Sequence, residues 1–219
     1  MTLTRVVGKG RTEPIERADL DAHRRRALRT VIDVGTGDGR YPYALATEHD
    51  DWFVIGIDAL DETMGEVAYK AGRKPAKGGR SNVVYLRAAI EQVSEDLRDI
   101  ADDVHVMLPW GRLLEGIVVP DADVLQGLAL LGPRLHVVLN GEIWESSLPV
   151  RFDHLPVPTP EYIAATVAPA LSAAGIAIGP ARYLTAAEAK SLPTTWARRL
   201  GHNREHPRFV TFDGDRIAN

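Results

Sequence analysis

Val31–Arg40 reads VIDVGTGDGR, an apolar run that ends in an acid and opens into a turn carrying Gly35, Gly37 and Gly39. Glycine there permits positive φ and lets a ligand approach the backbone without a Cβ in the way. The spacing is G-x-G-x-G. Dinucleotide-binding turns carry G-x-G-x-x-G, whose third glycine lets the helix pack closely on the strand beneath a pyrophosphate. Asp33 and Asp38 flank the turn and put negative charge where a phosphate would sit. The pattern favours a cationic ligand, and S-adenosylmethionine (SAM), with its ammonium and sulfonium, meets that description. An ordinary tight strand–helix turn is the competing reading. Asp58, at the tip of the next apolar run FVIGI, is placed to accept from ribose hydroxyls in the crevice of an open α/β sheet. Its alternative role is a helix N-cap, for which Asp61 is better placed.

Ala88-Ala89-Ile90-Glu91 ends a third run, where small residues leave room for a planar base and a backbone N–H can reach its ring nitrogens. Glu91 either accepts from an exocyclic amine or caps the following helix. Leu108-Pro109-Trp110-Gly111 ends a fourth run, and the flanking Pro and Gly project Trp110 at the mouth of the sheet instead of into its core. Trp196 lies in the polar stretch TTWARRLGHNR. Two presented tryptophans can hold a planar base, and stacking is worth about 1–3 kcal/mol per base. That offsets the few kcal/mol needed to extrude a nucleotide from its helix. Trp52, just before a strand, reads as structural, and Trp144 carries no assigned role. The histidines are scattered and cysteine is absent, so neither a metal site nor a covalent nucleophile is expected.

The net charge of −4 argues against a generic nucleic-acid binder, yet the cations are clustered. Lys70, Arg73, Lys74, Lys77 and Arg80 fall in KAGRKPAKGGR without an acid. Arg198, Arg199, Arg204 and Arg208 lie with His202 and His206 against only Glu205, and Arg5, Lys9 and Arg11 lie near the N-terminus. Any one basic run is usually a solvated face. Together they suggest one local basic face.

The elements that must position these residues alternate strand with helix, the pattern of a mostly parallel sheet. Strands are expected at 31–34, 53–57, 82–88, 104–108, 135–139, 176–178 (or 182–184) and 208–212. A helix capped by Asp61 would bury Met64, Val67, Ala68 and Ala71 and run out at Pro75. Helices are also expected over 121–131 and 160–174, the second bent or broken at Pro169. Residues 140–160, with four prolines, and 192–207 read as long loops of functional character. A chain of 219 residues, 45% hydrophobic and 26% charged, suffices for one globular α/β domain spanning 1–219. No signal-like or membrane-spanning run occurs, so cytoplasmic residence is expected, with no membrane partner.

GTGDGR, KPAKGG followed by NVVYL, LPWG and the late TTWARRL together resemble the aminoglycoside-resistance 16S rRNA methyltransferases. Within these, the chain resembles the kanamycin–apramycin branch that methylates N1 of adenine 1408 in the decoding site. The likeness runs over nearly the whole chain. It implies a class I SAM-dependent methyltransferase (Rossmann-like) fold: a seven-stranded mostly parallel sheet with helices on both faces, an N-terminal β-hairpin extension over about 1–30 and loop insertions. It also implies that Asp33, Gly35, Thr36, Gly37 and Gly39 hold the methionine part of SAM and Asp58 its ribose. Ala88, Ala89 and Glu91 would flank the adenine, with Pro109 and Thr194 closing the pocket. Trp110 and Trp196 would sandwich the target adenine. Lys70, Arg73, Lys74, Lys77, Arg80, Arg198, Arg199 and Arg204 would grip phosphates of 16S rRNA in the assembled 30S subunit, with the enzyme acting as a monomer. Three positions depart from the family pattern: Arg112 replaces a Ser or Thr, AAIEQVS lacks the usual Leu-Pro, and His206 stands in a stretch that is usually more basic.

The competing functions are a guanine-N7 methyltransferase on rRNA or tRNA, a small-molecule methyltransferase, and a non-catalytic SAM-fold rRNA-binding protein. The first would not need the tryptophan pair, the second would not need the basic segment, and the third need not retain Asp33 and Asp58.

Overall fold

The computed structural model describes residues 3–141, 155–192 and 208–218. Its sheet is organised by strands that are apolar on both faces. In β3 (Arg29–Val34) and β4 (Trp52–Asp58), Ile32, Val34, Phe53, Ile55 and Ile57 join one core while Val31 and Val54 join another. Such strands need cover on both sides. On one face lie α2 (Arg40–Glu48) and α3 (Asp61–Ala71). On the other lie α1 (Arg17–Arg24), α4 (Gly111–Val118), α5 (Ala122–Leu131) and the helical stretch 160–173.

The remaining strands are β1 (Leu3–Gly8), β2 (Arg11–Ile15), β5 (Val83–Arg87), β6 (Asp103–Met107), β7 (Arg134–Asn140), β8 (Ile176–Ile178), β9 (Arg182–Tyr183) and β10 (Phe209–Arg216). They follow the order β2-β1-β5-β4-β3-β6-β7-β10-β8, with β9 paired to β10. The five central strands, β5 to β7, are parallel, and the flanking strands are antiparallel. All expected strands are present, and both candidates for the sixth are strands. The expected N-terminal hairpin extension is present and brings the sheet to ten strands among the described residues. It extends the sheet, with β1 pairing to β5 at Arg5 opposite Leu86.

Connections run outward from β3 through β4 to β5, then return to β6 on the other side of β3. An open α/β sheet binds ligands at the carboxyl ends of strands where the order reverses, here between β3 and β6. At the opposite end, Asp103 binds Arg29 and Arg134, clamping the bases of β3, β6 and β7. Burial pushes the Asp103 carboxyl up, but the two guanidinium groups hold it well below the usual carboxylate range.

Two local expectations are corrected and one helix is added. Asp61 does not cap α3: Leu60 is the N-cap residue, and Asp61 stands in the first turn, 3.9 Å from Arg87. Its charge there still complements the helix dipole. Helix α4 was not foreseen, although Leu113, Leu114, Ile117 and Val118 form a buried stripe. Near Pro169 the helix is not broken: Pro160–Tyr162 and Ala168–Ala173 are joined by a π turn over Ile163–Val167. The proline lacks an N–H and its ring crowds the carbonyl four residues earlier, so the turn widens. Among the described residues, no helix is long and apolar enough to cross a membrane.

Candidate active site

The glycine turn leaves β3 with φ of 74°, 56° and 73° at Gly35, Gly37 and Gly39. The N–H groups of Gly35 and Thr36 donate to the Ile57 carbonyl at 2.9 and 3.0 Å, and that of Gly37 donates to Asp58 Oδ2 at 2.9 Å. Three successive donors therefore turn inward to the tip of β4. A phosphate-binding turn points such donors at its ligand. A Cβ at Gly35 would lie 2.7 Å from Leu113 Cδ2, so this glycine also lets α4 close against the turn.

Asp33 is 2% exposed, and its Oδ1 has no hydrogen-bond partner. Burial pushes its carboxyl up to about 8; the Thr36 hydroxyl opposes this, and the charges of Asp58 and Asp38 add to it. A buried carboxyl with an unpartnered oxygen is costly to keep. It is suited to a cationic group that restores its charge. Asp58 is already engaged: Oδ2 accepts from Gly37 and Oδ1 from the Leu60 N–H at 3.0 Å. Two acceptor sites on each ionised oxygen leave capacity for further donors.

These groups share a cavity of about 740 Å³ at the carboxyl ends of β3 to β6. Its walls include Asp33, the 35–38 turn, Asp58, the whole Ala88–Glu91 segment, and Trp110. Gly39 and Pro109, both buried, are not among the residues that line it. The Ala88 N–H is not available to a ligand, because it donates to the Asp58 carbonyl at 2.9 Å. Glu91 sits inside a short 3₁₀ turn after Ala89 and caps no helix among the described residues. Trp110 is half-buried, packed by one side against the main core. It is aimed by Leu108, whose φ of 54° is strained for a side chain of this size. Arg112 also lines the cavity, and its guanidinium pairs with Asp121 at 2.5 Å.

Several cavity residues were not singled out in the sequence, notably Leu60, Thr63 and Tyr41. Tyr41 could have been found from its place two residues after Gly39. Its hydroxyl and His105 Nδ1 lie 2.8 Å apart, and burial, with His136 adding to it, pushes His105 down to about 4. A histidine kept neutral thus contacts Tyr41, which lines the cavity.

Of the predicted phosphate-binding residues, Lys70, Arg73, Lys74 and Lys77 are exposed. Arg80 is half-buried, with its guanidinium donating to Thr47 Oγ1 and the Gly79 carbonyl. The hairpin tip and the basic segment are both anchored on α3. A Cβ at Gly65 would lie 2.6 Å from Lys9 Cα, and the Arg80 N–H donates to Ala71. Thr194, Trp196, Arg198, Arg199, Arg204, His202, His206 and Trp144 lie outside the described residues. Trp52 stacks on His49 at 3.8 Å, in keeping with a structural role.

Residues 4–213 match the family model NpmA: 16S rRNA (adenine(1408)-N(1))-methyltransferase. A protein of that description from Streptoalloteichus hindustanus is 38% identical over 206 residues, covering 93% of this chain and 94% of its own. One from Escherichia coli is 35% identical, covering 83% and 84%. Among solved structures, a tryptophan-to-alanine variant of the Catenulisporales acidiphilia enzyme with cosubstrate SAM superposes with a TM-score of 0.90 at 34% identity, covering 99% of this chain and 97% of that one. The 16S rRNA methyltransferase KamB gives a TM-score of 0.86 at 34% identity, covering 98% and 100%. This chain belongs to the NpmA family of SAM-dependent 16S rRNA (adenine(1408)-N(1))-methyltransferases.

Proposed function

We propose that this protein methylates N1 of adenine 1408 within the assembled 30S subunit, in the cytoplasm, with the target base extruded and held between Trp110 and Trp196. The outcome for the cell would be aminoglycoside resistance. The observation that carries the reading is the cavity that Asp33, with its unpartnered oxygen, and Trp110 share at the switch point of the sheet.

The residues fit SAM. Asp33 would face the methionine ammonium, the Gly35–Gly39 turn with Thr36 would shape the backbone around it, and Asp58 would meet the ribose. Ala88, Ala89 and Glu91 would flank the adenine, with Pro109 beside it and Thr194 closing the pocket. SAM supplies a methyl group made electrophilic by its sulfonium.

Adenine N1 carries a free lone pair at neutral pH, so the protein needs no strong general base. Its contribution is to hold the acceptor in line and to favour the positive charge that develops on the base. A tryptophan face attracts a cation by about 0.5–2 kcal/mol. Trp110 and Trp196 thereby position the base and favour the charged product. Lys70, Arg73, Lys74, Lys77 and Arg80, with Arg198, Arg199 and Arg204, would hold rRNA phosphates.

The test is primer extension on 16S rRNA from cells expressing the protein. N1 methylation blocks Watson–Crick pairing, so reverse transcriptase should stop at adenine 1408. Read-through there, with N7-methylguanine found elsewhere in rRNA or tRNA, would replace this reading with the guanine-specific one.

A further inference from the structure

The segment after α3 is a built structure, not a loose run of charge. Pro75–Lys77 form a 3₁₀ turn closed by Lys77 N–H to the Lys74 carbonyl at 2.8 Å and Gly78 N–H to the Pro75 carbonyl at 2.9 Å. Gly78 then adopts a φ of 84°. The Gly79 N–H donates back to Lys74, and a Cβ at Gly79 would lie 1.6 Å from the Arg73 carbonyl oxygen. The two glycines of KPAKGG are thus required by one left-handed turn and one close approach.

A single aromatic side chain on the neighbouring helix holds this turn. The Tyr43 hydroxyl donates to the Gly78 carbonyl at 2.6 Å. Lys70 Nζ lies 4.2 Å from the centre of the Tyr43 ring, and the Arg80 guanidinium 5.8 Å from it. Lys70 and Arg80 are drawn toward the ring, while Arg73, Lys74 and Lys77 stay exposed. Tyr43 stands in the first turn of α2, where its N–H donates to Gly39 and where Arg40 and Tyr41 line the cavity.

We propose that Tyr43 is a positioning residue for the rRNA substrate: it fixes the turn so that Arg73, Lys74 and Lys77 form a preset phosphate-binding arm, in register with the cofactor cavity through α2. This rests on the reading that these cations meet rRNA phosphates. A preset arm loses little freedom when RNA binds, so releasing it should weaken binding without touching the chemistry.

The experiment compares Tyr43→Phe, Tyr43→Ala, Lys74→Ala/Lys77→Ala and the combination of the last two with the parent, using purified 30S subunits and SAM. Tyr43→Phe keeps the ring beneath Lys70 and loses only the hydrogen bond. It should raise KM for 30S about fivefold, the equivalent of one lost hydrogen bond. Tyr43→Ala should raise it further, and in both variants kcat and SAM affinity by calorimetry should stay at the parent value. Adding Tyr43→Ala to the lysine double variant should cost less than it does alone, since both act through one arm. If the lysine variant leaves 30S binding unchanged, the phosphate reading of the arm fails. If the lysine variant weakens binding while Tyr43→Phe and Tyr43→Ala do not, the arm stands and the role of Tyr43 is overturned. Full additivity, or a loss of SAM affinity equal to the loss of 30S affinity, also overturns it.

Discussion

At the scale of single residues, Asp33 shows a site working against stability. Its pKa in the folded, ligand-free protein, about 8, lies above the ordinary 3.8, so between those values the folded state holds a proton that the unfolded chain has released. Stability of the ligand-free protein therefore declines as pH rises from about 4 to about 8, and the full penalty applies above that range. Asp33→Asn removes the penalty while keeping the shape. Its melting temperature should exceed the parent's by at least about 2 °C at pH 8.5. The gain should shrink as pH falls toward 6, and SAM binding by calorimetry should be lost. An Asn variant that melts with the parent and still binds SAM would remove Asp33 from the cofactor site. Trp110 is tested by graded substitution. Phe retains a π face and Ala does not, so Trp110→Phe should keep more methyl transfer than Trp110→Ala. Full activity of the Ala variants at both 110 and 196 would rule out stacking.

At the scale of elements, the parallel strands were legible because each is a short apolar run ending in an acid, a small residue or a proline. The same ends carry the cavity, so Asp33, Asp58, Ala88–Glu91 and Trp110 could be named from order alone. Helix α4 was hidden because LPWG reads as a strand terminus and a turn, and the helix begins directly at Gly111. Tyr43 was hidden for another reason: its partners Lys70, Gly78 and Arg80 are distant in sequence, and nothing in YPYALA announces them. The hairpin depends on a contact of the same long-range kind. Gly65 admits the backbone of Lys9 onto α3, and a Cβ there would lie 2.8 Å from its nitrogen as well. Gly65→Ala must push the hairpin away from the helix, and overpacking of this kind costs about 1–3 kcal/mol. Denaturant unfolding should register that loss while SAM affinity stays near the parent value, because Gly65 does not line the cavity, which α3 meets at Thr63 in its first turn. Unchanged stability would mean that the hairpin tip yields without cost.

At the scale of the whole molecule, the chain is acidic overall yet has an RNA substrate, so attraction must come from local clusters. The cofactor half of the site lies on the opposite electrostatic footing: Asp33, Asp38, Asp58 and Glu91 line or border a partly enclosed cavity. The two halves should therefore respond differently to salt. Each phosphate neutralised by Lys or Arg releases condensed counterions, and an arm making about three such contacts should lose about fortyfold in affinity between 50 and 200 mM salt. Contacts to SAM in this cavity would be short-range and largely sheltered, so its affinity should change little over that interval. The predicted phosphate contacts are also spread over separate chain segments, which suits a shaped RNA surface better than a short hairpin. Methylation of 30S subunits should consequently exceed that of a naked decoding-site hairpin by a wide margin at 150 mM salt, and the margin should narrow as salt is lowered and single contacts strengthen. Equal rates on the two substrates at 150 mM would show that one segment of the protein suffices for recognition, and that the assembled surface of the subunit is not what the basic clusters read.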